Sequence, residues 1–463
     1  MEMSAIWRLC NGAVFTMGLG QAGRKTAVVT KIFICALLVC NWTWEVAQAQ
    51  DSAAAQQQIS LAAAAALLIQ ANRIEDAERV LVLALRQNPN DNEAIFLRGM
   101  IEVGRKNYDA AIEDFRRILA SEPERERVRL ELARVFFLQA DYENAERNFR
   151  FARAGDLPDE AKANVDQYLA AIIRLKRWSY DFSLGVADDT NVNGATNLRT
   201  VYLYGLPFTL SDNARQTSGI GAAIDISGEF SPLLSNDSKF LIGGLVHRLQ
   251  YGRGRFDDIT VSLYAGPQFF VGRWRFDALA TGFGRWYAEA PYSHGVGGRA
   301  SAGYALLPTL QIGLTLEGQS ETFRPISDQN GPVYAAHGEI AYTLSPSRIL
   351  RLSGGVAGQK SRLGTYANTT YWVALDFYQD LPFGFSANVE PAWSSVTFDA
   401  PIAAFDTRRF DQTWAIRLDV LNRRLEYRGF APRISFIHVH LDSTIALYRF
   451  TRDQVQFGVT RQF

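Results

Sequence analysis

From Trp178 to the C-terminal Phe463 the chain is a succession of short segments in which every second residue is apolar. A period of two means a strand with unlike faces. Leu310, Ile312, Leu314 and Leu316 alternate with Gln311, Gly313, Thr315 and Glu317. Trp414, Ile416, Leu418 and Val420 alternate with Thr413, Ala415, Arg417 and Asp419. A long series of such segments suits a sheet with oil on one side and water on the other. A bilayer accepts strands only when the sheet closes on itself. The pattern therefore predicts a transmembrane β-barrel.

The alternation and its turn signals divide this region into about fourteen strands, an even number as bacterial barrels require. They span 178–187, 216–230, 238–251, 257–272, 273–288, 294–308, 309–323, 331–346, 348–361, 368–382, 383–398, 408–423, 431–448 and 449–463. The turns at 271–274, 307–309, 345–347 and 380–382 are tight, while 252–258, 288–294, 324–332 and 400–408 are longer. Short turns belong to the periplasmic side and long loops to the outside. The connection at 422–432 is long for a periplasmic turn, and the longest outer segment, 188–216, has the length to fold back as a plug or gate. A soluble sandwich would carry more lysine, whereas only Lys239 and Lys360 occur after residue 177.

Charge at mid-depth on the lipid face costs roughly 2–4 kcal/mol for a base. Glu317, Arg417 and Asp419 are therefore expected to face a watery lumen. His438 and His440 lie opposite Ile437, Val439 and Leu441, which places them in the lumen as well. A solvated polar row continued by Asp442 is the preferred reading of the pair, with metal ligation the stereochemical alternative.

Upstream, residues 53–177 read as helical. A spacing of 34, the tetratricopeptide length, aligns Ala77, Ala111 and Ala145, then Leu81, Phe115 and Phe149, with Ile74, Tyr108 and Tyr142 one turn earlier. The alanine lets two helices approach, and the aromatic one turn later fills the groove between neighbouring pairs. Pro89 and Pro123 end the first two repeats, and Pro158 follows the third by one extra place. The first-helix signature is degenerate: Gly99 and Ala133 fit its small site, while Arg98 stands where leucine is usual. About three repeats and a closing helix, 160–176, result. A plain helical bundle is the alternative.

The N-terminus reads as a secretory signal. Arg24, Lys25 and Lys31 precede a short apolar run, 32–39, and Ala47-Gln48-Ala49 is a small-x-small cleavage site. The upstream extension makes Met17 a second candidate start. A lipoprotein signal at Leu37-Leu38-Val39-Cys40 has a bulky Val39 where a small residue is wanted, and an uncleaved anchor would need a longer apolar run. Cys10, Cys35 and Cys40 all fall within residues 1–49, so the mature chain needs no disulfide. Three parts follow: signal 1–49, periplasmic repeats 50–177 and barrel 178–463, an α + β chain in the outer membrane with its helical domain in the periplasm. The formal net charge is zero, which gives no basic excess for nucleic acid.

No nucleophile and base stand together, and the reading is of a non-enzyme with no cofactor and no metal. Asp189-Thr190-Asn191-Val192-Asn193-Gly194 imitates the first half of a calcium loop, but its twelfth position is Thr200 and not a glutamate. Asx-turns closing the first strand are the expected use. At the other end, Val455, Phe457, Val459 and the terminal Phe463 match the aromatic-ended tail read by the barrel-assembly machinery, with Arg461 where an apolar residue is usual.

A short periplasmic tetratricopeptide array joined to a barrel of about fourteen strands resembles the surface lipoprotein assembly modifiers. The repeat alanines Ala77, Ala111 and Ala145, the junction at Trp178, the turn at 189–193 and the barrel tail carry the resemblance. It implies an outer-membrane factor that moves a lipoprotein or a secreted protein to the cell surface. The repeats would capture cargo or its periplasmic chaperone, and the barrel would pass it through or along itself. The expected partners are that cargo, the barrel-assembly machinery and outer-membrane lipid. An exopolysaccharide export porin, with a longer helical array and about sixteen strands, is the rival, and a non-transporting structural or adhesive barrel the third reading.

Overall fold

The computed structural model describes residues 60–461, apart from 253 and 428, together with the backbone of 18–19. The expected signal, those two residues aside, and the terminal Phe463 lie outside the described residues. Seven helices are described: α1 Leu61–Gln70, α2 Ile74–Gln87, α3 Asn92–Gly104, α4 Tyr108–Leu119, α5 Glu126–Leu138, α6 Tyr142–Arg153 and α7 Asp159–Leu175. The chain divides into two compact units, one ending at Ala94 and the other containing Ile95–Phe463.

In the first unit Ser60 caps α1 by accepting from the Ala63 amide, and Ala77, Leu81 and Ala84 of α2 are buried. In the second, Ala111, Ala145, Phe115 and Phe149 are fully enclosed. Phe115 presses on Gly99 so closely that a Cβ there would collide with its ring. Arg98, the misfit of the repeat signature, is used differently: its Nε donates to the buried Asp114 at 2.9 Å, tying α3 to α4 by charge. Phe149 stacks on Tyr168 of α7 at 4.8 Å between centroids, which closes the array.

The 34-residue spacing also marks a backbone position that side-chain types conceal. Asn72, Lys106 and Ala140 all have positive φ, at 58°, 62° and 59°, and each sits in the turn between the two helices of its repeat. A left-handed residue with a Cβ costs roughly 1–2 kcal/mol. Ala140→Gly should therefore stabilise the helical domain by about 1 kcal/mol, visible as a higher midpoint at 222 nm in the detergent-solubilised chain.

Fourteen strands form the barrel: β1 Trp178–Asp189, β2 Gly219–Phe230, β3 Ser238–Tyr251, β4 Asp258–Val271, β5 Trp274–Tyr287, β6 Ala290–Leu307, β7 Leu310–Phe323, β8 Gly331–Ser345, β9 Arg348–Gln359, β10 Asn368–Asp380, β11 Phe385–Ile402, β12 Thr407–Asn422, β13 Ala431–Ser443 and β14 Phe450–Thr460. Each pairs antiparallel with its sequence neighbours, and β14 pairs with β1, so no edge remains. The last hairpin differs from the pattern-based boundary. β13 stops at Ser443, not at 448, because Arg449 Nε donates to the Ser443 carbonyl and turns the chain. The long outer segment carries secondary structure of its own. It forms a short hairpin, Thr200–Leu203 with Leu206–Thr209, whose Tyr202, Tyr204 and Leu206 are exposed. It is tied to the outer rim on two sides: the Tyr204 amide donates to Ala404 between β11 and β12, and Arg255, between β3 and β4, donates to Asn213.

Candidate functional site: the periplasmic junction and the barrel seam

Helices and barrel meet with almost no linker: α7 ends at Leu175 and β1 starts at Trp178. Lys176 Nζ reaches Glu143 at 3.2 Å and Glu146 at 3.6 Å on α6, and Ser179 Oγ donates to Glu143. Burial pulls the Lys176 ammonium down, but the two glutamates outweigh it and hold its pKa above the ordinary 10.5. Burial likewise raises Glu146, but Arg150 and Lys176 outweigh it and hold it below 4.5. A raised lysine pKa stabilises below its unfolded value and that stability is lost as pH rises through the folded one. A depressed glutamate pKa stabilises above its unfolded value and is lost as pH falls through the folded one. The clamp is therefore whole at neutral pH. Amide protection of α6, corrected for intrinsic exchange, should fall below pH 4.5 and again above 10.5.

Three consecutive periplasmic turns carry the helices. Between β8 and β9, Ser345 and Ser347 donate to Glu124 at 3.1 and 2.5 Å. Between β10 and β11, the Phe383 amide donates to the Ala120 carbonyl at the end of α4, supplying one partner that a helix C-terminus lacks. Between β12 and β13, Glu426 forms an ion pair with Arg116 of α4 at 2.9 Å. The 422–432 connection is long because it meets the helical domain as well as turning the chain.

The middle turn holds the most charge. Arg129 of α5, 5% exposed, pairs with Asp380 at 2.6 Å. Asp380 also accepts from Tyr378 and from Ser386 at 2.6 Å. Arg423 donates to Ser386 at 3.2 Å and to Tyr378 at 3.1 Å. Phe151 of α6 stacks on Tyr378 at 6.0 Å, and Arg147 lies over the same ring at 4.7 Å.

Inside the barrel, charges pair along the wall. Arg299 Nε meets Glu317 at 2.7 Å, and Arg417 Nε meets Asp419 at 2.6 Å. Arg433 of β13 passes inside β14 to donate to Ser183 of β1 at 2.8 Å, which identifies this face as the inner one. Leu314, Leu316, Trp414 and Phe457 are exposed on the opposite face.

The two histidines do not join this set, and the lumenal expectation for them is corrected. Ser435 pairs with Asp419, so Ile437, Val439 and Leu441 share the inner face, while His438 and His440 stand outside beside Ile416 and Trp414. There His438 Nδ1 lies 2.7 Å from Asp453 Oδ1, and His440 Nδ1 3.0 Å from Thr451 Oγ1. The rule that the apolar face meets lipid fails here because the β13–β14 loop folds over the inner wall. Its Tyr448 packs under inward-facing Arg409, 3.2 Å from guanidinium to ring centre.

The β14–β1 seam is the shortest ladder between neighbouring strands of the barrel. It runs only from Ser183–Thr460 to Asp189–Gln454. Side chains reinforce its outer end. Asp189, 0% exposed, receives Arg452 at 2.6 Å and Gln454 at 3.1 Å from β14, and the Tyr251 hydroxyl at 2.9 Å from β3. Its other carboxylate oxygen accepts the Asn191 amide in an Asx-turn. At the inner end Arg461 donates its amide to Phe182 and places its guanidinium 4.6 Å from the Tyr180 ring, which explains a charged residue in an apolar tail. Val455, Phe457 and Val459 lie on the outer face of β14, as register with Asp188, Val186 and Leu184 requires.

Sequence reading missed Arg129, Arg147 and Arg423, and it placed Asp380 in a tight turn and Tyr378 among possible lumen aromatics without their role at this junction. The long 422–432 connection was the one signal pointing to them.

This architecture defines a class: an outer-membrane β-barrel whose periplasmic turns carry a tetratricopeptide domain. The model of the Surface lipoprotein assembly modifier family matches residues 178–463, and that of the tetratricopeptide repeat matches 62–126 and 96–153. The chain belongs to the Surface lipoprotein assembly modifier family. It is similar to the Surface lipoprotein assembly modifier of Pasteurella multocida, with 20% identity over 414 residues, 85% of this chain and 81% of that protein. It is also similar to Surface lipoprotein assembly modifier 1 of Neisseria meningitidis serogroup B, with 24% identity over 200 residues, 43% and 40% of the two chains. Among solved structures, a Pseudomonas aeruginosa FadL homologue aligns with 68% of this chain and 93% of its own at 9% identity, with a TM-score of 0.36.

Proposed function

We propose that this protein displays a lipoprotein, or a secreted protein, on the cell surface. The helical repeats capture the cargo or a chaperone that carries it, and the barrel provides the way out. The observation that carries this reading is the docking of α4, α5 and α6 on three consecutive periplasmic turns. Whatever the repeats hold is thereby delivered to the barrel entrance. A lumen of this strand number, lined by paired charges, has no room for a folded domain. Unfolded cargo, or passage along an opened seam, fits the dimensions better, and the short β14–β1 ladder supports the seam.

The test is surface protease accessibility of candidate lipoproteins in a strain lacking the gene. Loss of exposure of at least one, restored by the cloned gene, is the expected result. Exposure of every candidate unchanged would sink the reading. Loss of a capsule or biofilm polymer instead would turn it toward polysaccharide export.

A further inference from the structure

Between the helices and the inner rim of the barrel lies a cavity of about 60 Å³. At roughly 10–15 Å³ for each water-sized probe, that is room for one carboxylate or phosphate group. Its lining includes Arg116, Arg129, Arg423, Arg424 and Asp380, so four arginines and a single acidic residue border it. Arg129 is engaged by Asp380, and Arg116 by Glu426, which is not part of the lining. Among the described residues no carboxylate pairs with Arg424, which is exposed at the rim. Arg147, just behind Tyr378, likewise has ring contacts but no ion-pair partner among them. Burial, and then the neighbouring Arg423 and Arg129, hold its pKa down to about 10, as befits a cation short of counter-charge.

The position of the cavity narrows the occupant. Asp380 pairs with Ser386 on neighbouring strands, and Tyr378, two residues earlier, shares their face. That face is the one opposite exposed Tyr371, Val373 and Leu375. The site therefore belongs to the inner rim, away from lipid.

We infer that this cavity is an anion site that takes a carboxylate from an acidic stretch of polypeptide moving between the repeats and the lumen. Arginine suits the task because its planar fork meets a carboxylate through two parallel hydrogen bonds. The inference rests on the reading that the barrel passes a polypeptide.

Binding of a fluorescein-labelled oligo-glutamate peptide to the purified, detergent-solubilised full chain tests it by anisotropy, without any need for export. Saturable binding that salt weakens is expected. It should fall about tenfold in Arg424→Gln and further in Arg147→Gln/Arg424→Gln, and largely return in Arg424→Lys, since charge is the common requirement. Heat-modifiable gel mobility shows that each variant keeps its barrel. Affinity unchanged in both glutamine variants overturns the site. Displacement of the peptide by inorganic phosphate at concentrations no higher than the peptide's own would make it a free-oxyanion site and overturn the polypeptide occupant. A negative result leaves the surface-display assay free to succeed, so the two readings fail separately.

Discussion

A disulfide drawn across the seam, Val186→Cys with Phe457→Cys, should stop surface display under oxidising conditions and release it on reduction. The two residues are direct partners on β1 and β14, and neighbouring antiparallel strands bring Cα atoms to about 4.5–5.5 Å, within the span a disulfide bridges. No cysteine follows Cys40, so neither the repeats nor the barrel offers the new pair a competitor. The bond lies outside the lumen and leaves its paired charges untouched. Cargo that crosses inside a closed barrel would be indifferent to it. The measurement is protease accessibility of the cargo in cells with and without reductant. Continued display from a fully oxidised barrel would end the seam route and leave the lumen.

The second large effect belongs to the junction. Asp380→Ala leaves Arg129, nearly enclosed at 5% exposure, with the Pro123 carbonyl but no counter-charge, and stranding one charge of a buried pair costs roughly 3–5 kcal/mol. The barrel has its own closed ladder and should keep its resistance to detergent and heat. The loss falls on docking, so helices α4 to α6 should be cut far faster by protease while the barrel stays intact, and display should drop with it. A double-mutant cycle with Arg129→Ala isolates the pair: once the carboxylate is gone, removing the arginine should cost little more. If protease sensitivity is unaffected, docking does not depend on this pair.

Barrel and repeats were legible because both are periodic. A period of two runs through most of β7 and β12, and a period of 34 survives the loss of the first-helix leucine at Arg98. What escaped has no period. Arg129 and Asp380 are 251 residues apart, and nothing local to either announces the other. Asp189 was readable as an Asx-turn, since that depends on its own neighbours, but not as the acceptor for Arg452 across the seam. Ala140 carries no mark of its left-handed backbone, because alanine at that place resembles any helix residue. His438 and His440 were assigned to the wrong face by a rule that holds at mid-membrane. It fails near the outer rim, where a returning loop supplies an apolar surface inside.

The joint between helices and barrel has a mechanical consequence. Two residues, Lys176 and Arg177, separate α7 from β1, and two residues span at most about 7 Å. Such a tether has no slack. A pull on the closing helix is delivered to β1 at once, and β1 is one lip of the barrel's shortest ladder. Load taken up by the repeats thus arrives as tension on the strand whose release would part the wall, and the lever needs no third element to connect them.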